Sequence, residues 1–416
     1  MDLIYDQERQ SKRTPCLSLA KGPTRRPIIG VFVSVASTVP LICLFANLVL
    51  MIYGIALPIS PVAVAAIFAV LLGGFRFFDC LVCRKFDSAD AAILVFIILT
   101  GIIFLLNPGE PRSKIALFLM LPLLLWSARS VSYPAIYRTV ALTGGALLSV
   151  FYLLVAHTTL ATAFGVDIYL AENLTLGYRN PNETGMYLLV TIFLMLYGAS
   201  VMRQKSEVCF ILLALAASQM HLMYLTLSRT GFIITAACLA VFLITMVPPL
   251  RRILVSRTVC VLVLLVPIVF FVATYLDLFH IFNIQFMDEV VETGRNMLYR
   301  DAIASLSPLD LLLGDPTSYA NVNLHNAYLS TLCAYGLPIL VNLIVVLIFA
   351  LRKARTARCS HAGSLAYGFI LCIIVQNATE SALLFSGGLF AVATSVPFVL
   401  AFSHCPSERS PSYEDS

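Results

Sequence analysis

Charge is what this sequence has least of. Of 416 residues only 12% are Asp, Glu, Lys or Arg, while 60% are hydrophobic, and a soluble globular domain carries roughly 25% charged residues. The deficit excludes a water-soluble fold of this length. Metal patterning is also lacking, because the six histidines form no HExxH or HxxxH pair. Cys80-x-x-Cys83 has no second pair to complete a zinc site, so it reads as small apolar filler. Most of the 11 cysteines fall inside apolar stretches. Cys16, Cys80, Cys83, Cys359 and Cys405 fall in basic loops or tails, and no disulfide is expected. No cofactor and no nucleic-acid partner is signalled.

What is present is apolar sequence in long blocks. A bilayer core takes about 20 consecutive apolar residues per helix. Twelve blocks meet or approach that length: 28–50, 54–75, 89–106, 115–133, 139–160, 183–201, 207–227, 230–250, 258–277, 326–350, 363–382 and 384–403. They predict an all-α polytopic membrane protein with about 12 transmembrane helices and the lipid bilayer as its first partner. Residues 1–27 read as a basic cytoplasmic arm, 28–277 as helices 1–9, 278–325 as one large outer loop, 326–403 as helices 10–12 and 404–416 as a cytoplasmic tail. The first apolar run is too long for the core of a cleaved signal peptide, so it is expected to stay as a span.

Lys and Arg collect in cytoplasmic loops. Placing both termini inside puts 21 of the 27 basic residues on that side. The other six are Arg112, Lys114, Arg179, Arg229, Arg295 and Arg300. Arg112 and Lys114 sit in a short loop and are expected to snorkel to the surface. The remaining four fall in three outer segments with further polar character.

The first segment is Leu176-Gly-Tyr-Arg179-Asn180-Pro-Asn182-Glu-Thr-Gly185. Its Asn and Pro residues suit a helix start, and an arginine beside a helix N-terminus suits an anion. The second is Leu225-Thr-Leu-Ser228-Arg229-Thr230-Gly231-Phe232, with almost no loop between two apolar runs. It is either a tight hairpin or one helix broken in passing, and it holds Arg229 where an unpaired charge costs several kcal/mol. The third is the loop from about Phe279 to Leu324. There a short amphipathic helix is predicted to start at Thr293 or Gly294 and lie on the membrane. Arg295 and Arg300 are five apart and so should not share one face. The loop closes on His325-Asn326-Ala-Tyr328-Leu329. A lone histidine is usually a satisfied polar residue. At the mouth of a helix, ending the long outer loop, His325 becomes a candidate for proton transfer.

Arginines grip phosphate and pyrophosphate through forked hydrogen bonds. With a histidine they suit displacement of a phosphate leaving group by a hydroxyl, and on an outer membrane face the fitting donor is a glycan on a lipid pyrophosphate. The set Arg179-Asn180-x-Asn182-x-x-Gly185, Ser228-Arg229-Thr230-Gly231, Gly294-Arg295 with a helix to Ala302-Ile303, and His325-Asn326-x-Tyr328-Leu329 followed by Gly336 resembles the O-antigen ligase and polymerase superfamily. These are multi-span bacterial inner-membrane glycosyltransferases of the GT-C type with one large periplasmic loop. The resemblance covers roughly residues 170–345. Two departures stand out. Family members often carry Trp near Tyr299, and an acidic residue where this chain has Ala334 or Tyr335.

The resemblance implies an inverting, metal-independent transfer from a polyprenyl-pyrophosphate-linked glycan. Arg229 and Arg295 would hold the pyrophosphate, and His325 would orient or deprotonate the acceptor hydroxyl. Arg179 and Arg300, with Asn180, Asn182, Asn326 and Tyr328, would contact phosphate or glycan. The acceptor would be a further lipid-linked repeat for a polymerase, or lipid A-core for a ligase, and a chain-length regulator protein is a further partner. The missing acid after His-Asn tilts the reading to polymerase. The rival class is a transporter or lipid-linked glycan flippase, and a non-catalytic scaffold is the blandest reading. Nearly charge-free spans without a repeat between halves argue against the transporter.

Overall fold

The computed structural model describes residues 25–83, 86–106, 112–131, 133–157, 167–170, 173–178, 180–283, 285–286, 289–290, 295–319, 322, 324–380 and 388–404. Helices dominate. The first group is α1 (Arg25–Ala36), α2 (Val39–Ile52), α3 (Pro61–Cys83), α4 (Ser88–Leu106), α5 (Arg112–Ala128) and α6 (Pro134–His157). A two-residue hairpin, β1 (Tyr169–Leu170) and β2 (Asn173–Leu174), precedes α7 (Pro181–Val201), α8 (Ser206–Leu225), α9 (Arg229–Met246), α10 (Pro248–Leu254) and α11 (Arg257–Tyr275). The long loop then carries α12 (Leu278–Ile281), a second hairpin of β3 (Gln285–Phe286) and β4 (Glu289–Val290), α13 (Arg295–Ala304), α14 (Pro308–Leu313) and α15 (Pro316–Tyr319). Last come α16 (Ala327–Ala354), a 3₁₀ turn (Arg355–Cys359), α17 (His361–Gln376) and α18 (Gly388–Phe402).

Among the described residues nine helices are long and apolar enough to cross a membrane, and three shorter apolar helices accompany them: Phe118–Ala128, His361–Gln376 and Phe390–Phe402. Each of the twelve apolar blocks therefore holds a helix. In hydrocarbon a helix satisfies its own backbone, so apolar runs of this length become helices. The boundaries shift for local reasons. The first span, Ile29–Ile52, is two helices joined through a turn at Ser37-Thr38. The second starts at Pro61 rather than residue 54, because Pro58 and Pro61 hold the preceding chain out of the helix and Pro61 suits the first helical position.

α7 is the centre of the bundle, with every residue from Thr184 to Ser200 buried. α17 is buried almost throughout as well, and Phe369 stacks on Phe193 of α7 with ring centroids 4.1 Å apart. α11 is the opposite case, burying only Pro267 and Thr274 among its 19 residues. It presents its sides to lipid, as a transmembrane helix can without cost.

One end of the bundle carries the basic turns. Arg129, Arg203, Lys205, Arg251, Arg252, Arg352 and Lys353 lie at or near helix ends on that side, and Arg76 lies two turns before the end of α3. Here Asp90, 1% exposed, receives Trp126 Nε1 at 2.7 Å, Arg129 Nη1 at 2.8 Å and Arg76 Nη2 at 3.3 Å. Arg129 also pairs with Asp87. A buried carboxylate is tolerated when cations and hydrogen bonds surround it, and this cluster ties α3, α4 and α5 together. Burial would raise the Asp87 carboxyl, but hydrogen bonds from Arg129 and the Asp90 backbone and the Arg129 charge outweigh it. They hold Asp87 well below the usual carboxylate range.

The long loop is folded onto the other end. Tyr299 of α13 is fully buried and stacks on Phe271 of α11, centroids 5.7 Å apart, within a small cluster that includes Ala302, Leu324, Leu329 and Cys333. The buried side of this helix, Tyr299 and Ala302, packs on protein, while Met297 is exposed. Its predicted start at Thr293 or Gly294 lies outside the described residues. A second lock joins α14 to α16. Gly336 interrupts α16 at φ 81°, and a Cβ there would come 2.4 Å from the Leu312 carbonyl oxygen. Gly314, at φ 73°, would meet the Ala334 carbonyl at 2.3 Å. Asp315 N donates to the Cys333 carbonyl at 2.8 Å. Only glycine allows two backbones this close at these angles.

Candidate functional site

The site end is assembled from helix termini. α9 and α17 run antiparallel, since Thr245 Oγ1 lies 3.0 Å from His361 Nε2 and a Cβ on Gly368 would meet Val241. At about 1.5 Å per residue, Arg229 and Gln376 arrive level at the far end of the pair. Ser228, which caps α9 through Gly231 N at 3.2 Å, donates to Asn182 Oδ1 of α7 at 2.8 Å. Tyr187 of α7 stacks on Phe390 of α18, centroids 5.2 Å apart. Ala327 N, opening α16, donates to the Asn377 carbonyl at 2.8 Å. The starts of α7, α9, α16 and α18 and the end of α17 thus share one face of the bundle, opposite the Asp90 cluster.

Glu380 sits at the middle of this convergence, just past the end of α17 and 5% exposed. Its Oε2 lies 3.4 Å from His325 Nδ1, and its Oε1 lies 3.7 Å from Arg295 Nη2. Arg295 Nη1 also donates to the Thr379 carbonyl at 3.0 Å. Both carboxylate contacts are long, and Oε1 is buried without a hydrogen-bond partner among the described residues. A loosely held buried carboxylate between an imidazole and a guanidinium can orient both groups. His325 is itself strained, at φ 49° in the left-handed region. Leu176 and Leu227, within the first two polar segments, are also left-handed, at φ 50° and 52°, as are Asp277 and Asn283 in the long loop. Such backbone costs of order 1–2 kcal/mol per non-glycine residue, and it gathers where chain geometry serves a site.

The other expected site residues divide by what their side chains do. Asn180 caps α7 through Glu183 N at 2.8 Å. Asn326 is 1% exposed and caps α16 through Leu329 N at 2.9 Å. Tyr328 Oη donates to the Ile374 carbonyl at 3.0 Å. Arg300 Nε donates to the Tyr275 carbonyl at 2.9 Å, with its guanidinium 5.9 Å from the Tyr275 ring centroid. These four bonds hold the scaffold around the site. Arg295 and Arg300 do point to different partners, as their spacing requires. Arg229 is half-buried at the first position of α9. Arg179 lies outside the described residues. α8 and α9 are separate helices joined by Thr226, Leu227 and Ser228, so the broken-helix alternative for this segment does not hold. Among the described residues no three His, Cys, Asp or Glu side chains gather as a metal-holding group.

Thr379 and Glu380 were not among the sequence candidates. The signal was the polar run Gln376-Asn377-Ala-Thr379-Glu380-Ser381 inside the block 363–382, which hydropathy averages away. No family model matches the chain, and no curated protein matches it.

Proposed function

We propose that this chain is a GT-C-type glycosyltransferase of a bacterial inner membrane, with twelve spans, both termini cytoplasmic and the site facing the periplasm. It would transfer a polyprenyl-pyrophosphate-linked glycan to an acceptor hydroxyl, as in polymerisation of surface-polysaccharide repeats. The observation that carries this reading is the placement of His325 and Arg295 on one buried carboxylate, at the same bundle end as Arg229. The basic turns lie at the opposite end, which is the pattern a positive-inside protein shows.

In the proposed reaction the acceptor oxygen attacks the anomeric carbon from the face opposite the phosphate. The carbon–oxygen bond to phosphate breaks, and polyprenyl pyrophosphate leaves with the electron pair. Arg229 and Arg295 stabilise the charge that grows on it. With Nδ1 turned to Glu380, Nε2 of His325 takes the acceptor's proton, and the carboxylate stabilises the imidazolium that results. Arginines positioned for the leaving group can serve where other transferases use a divalent cation, so the transfer is written as metal-independent.

Ligation to lipid A-core is the second reading, and Glu380 favours it. The missing acid at Ala334 or Tyr335 points to polymerase, yet Glu380 supplies an acidic partner to His325 from just past α17. Arg229→Ala and His325→Ala in the native host, with membrane levels matched and surface polysaccharide run on a gel, test both. Single lipid-linked repeats mark a polymerase. Long glycan retained on its carrier marks a ligase. Unchanged glycan in both variants overturns the proposed site.

A further inference from the structure

The long loop ought to be the most water-exposed part of the chain, yet it exposes large apolar side chains. Phe282 is 69% exposed, Leu309 62% and Leu312 56%, and Leu276, Ile281 and Leu311 are exposed as well. They lie just past α11, at the end of α12 or one residue beyond it, and in α14; α12 and α14 are small loop helices on either side of α13. The polar groups of the same helices are used locally. Asp277 pairs with His280 at 2.6 Å, and Ser307 and Asp310 form a reciprocal cap at the start of α14.

The depth of α14 follows from the glycine lock. From Leu337 to Ala354, α16 has 18 residues, about 27 Å at 1.5 Å per residue, close to the roughly 30 Å of a bilayer's hydrocarbon core. Arg352 and Lys353 mark its far end. Gly336 therefore lies at the hydrocarbon boundary on the site side, and the Leu312 carbonyl touches it. Beyond the kink Leu337, Val341 and Ile344 are exposed on α16, as lipid-facing residues of a span are. Leu309, Leu311 and Leu312 of α14 are exposed beside this boundary, since the Leu312 carbonyl lies against Gly336. Leu276, Ile281 and Phe282, which follow α11 in the chain, are exposed as well.

We infer that α12 and α14 are interfacial anchors, with Ile281, Phe282, Leu309 and Leu312 seated among the phospholipid acyl chains of the leaflet on the site side. Seating such side chains at the headgroup boundary is favourable in proportion to the apolar area removed from water. The partner is the phospholipid bilayer itself. The anchors hold the loop, and Arg295 with it, at the height where a lipid-borne substrate would carry its headgroup. The anchoring stands on exposure and depth alone and does not depend on the glycan-transfer reading.

The chain offers a direct test, because it contains one tryptophan, Trp126, which is 1% exposed at the opposite bundle end. Leu312→Trp and Phe282→Trp are each purified and reconstituted into phosphatidylcholine vesicles. The second is an aromatic-for-aromatic change, so one reporter survives if the first disturbs folding. The emission added over wild type should fall about twofold when the lipids carry bromine near the headgroup end of the acyl chain, and should resist aqueous iodide. Quenching by iodide with no response to brominated lipid, in either folded variant, overturns the inference.

Discussion

Glu380 reaches His325 with one carboxylate oxygen, at 3.4 Å, and Arg295 with the other, at 3.7 Å. One side chain thereby couples the proposed proton acceptor to one of the groups proposed to hold the leaving group. The residue comes from the end of α17, more than 50 positions from His325.

If Glu380 orients His325, its replacement should act on turnover rather than on substrate capture. Glu380→Gln keeps the shape and removes the charge. The expected outcome is a fall in kcat of about 100-fold, with KM changed less than about threefold, measured as polyprenyl pyrophosphate released by purified protein. The Glu380→Asp variant should recover part of the rate. Equal rates for wild type and Glu380→Gln would leave Glu380 as packing alone.

The two close backbones at Gly314 and Gly336 predict a loop that comes loose when either gains a side chain. Gly336→Ala places a methyl 2.4 Å from a carbonyl oxygen at φ 81°, so the α14–α16 lock cannot form as it stands. Limited proteolysis should cut between Ser305 and Tyr319 several times faster than in wild type, while the spans stay intact. Unchanged cleavage would mean the lock is dispensable.

Much of this architecture is written in hydropathy. Each of the twelve apolar blocks is helical among the described residues, nine of them long enough to cross a membrane, because lipid leaves the backbone no other partner, and the basic turns sort to one end. Arg295 and His325 were visible as polar residues in an unusual place. Glu380 was not, because one acid at the end of an apolar block barely moves its average. The Asp90 cluster was hidden for another reason: its cations read as topology signals, and Asp90 pairs with Arg129 39 residues away. The packing of α13 on α11 is not legible in the sequence, because the partner of Tyr299, Phe271, looks like any lipid-facing residue.

The Asp87–Arg129 pair predicts a pH dependence with a definite sign. Asp87 is held below its unfolded value of about 3.9. It therefore adds stability above about pH 4, and this is lost as pH falls through the lowered folded value. Asp87→Asn keeps the acceptor that caps Ala89 and Asp90 but loses the charge. The variant should unfold at a lower temperature than wild type near neutrality, with the gap narrowing on acidification toward about pH 3. A gap that widens with acid would contradict the pairing.

The central claim is that the face built from His325, Glu380, Arg295 and Arg229 performs glycan transfer. The most direct measurement incubates purified wild-type, His325→Ala and Arg229→Ala proteins with a polyprenyl-pyrophosphate-linked repeat and a hydroxyl acceptor, and follows release of polyprenyl pyrophosphate. The account predicts release by wild type and a loss of about 100-fold or more in each variant, with folding unchanged. Release at the wild-type rate from either variant, or none from wild type under conditions where the substrate is bound, would contradict it.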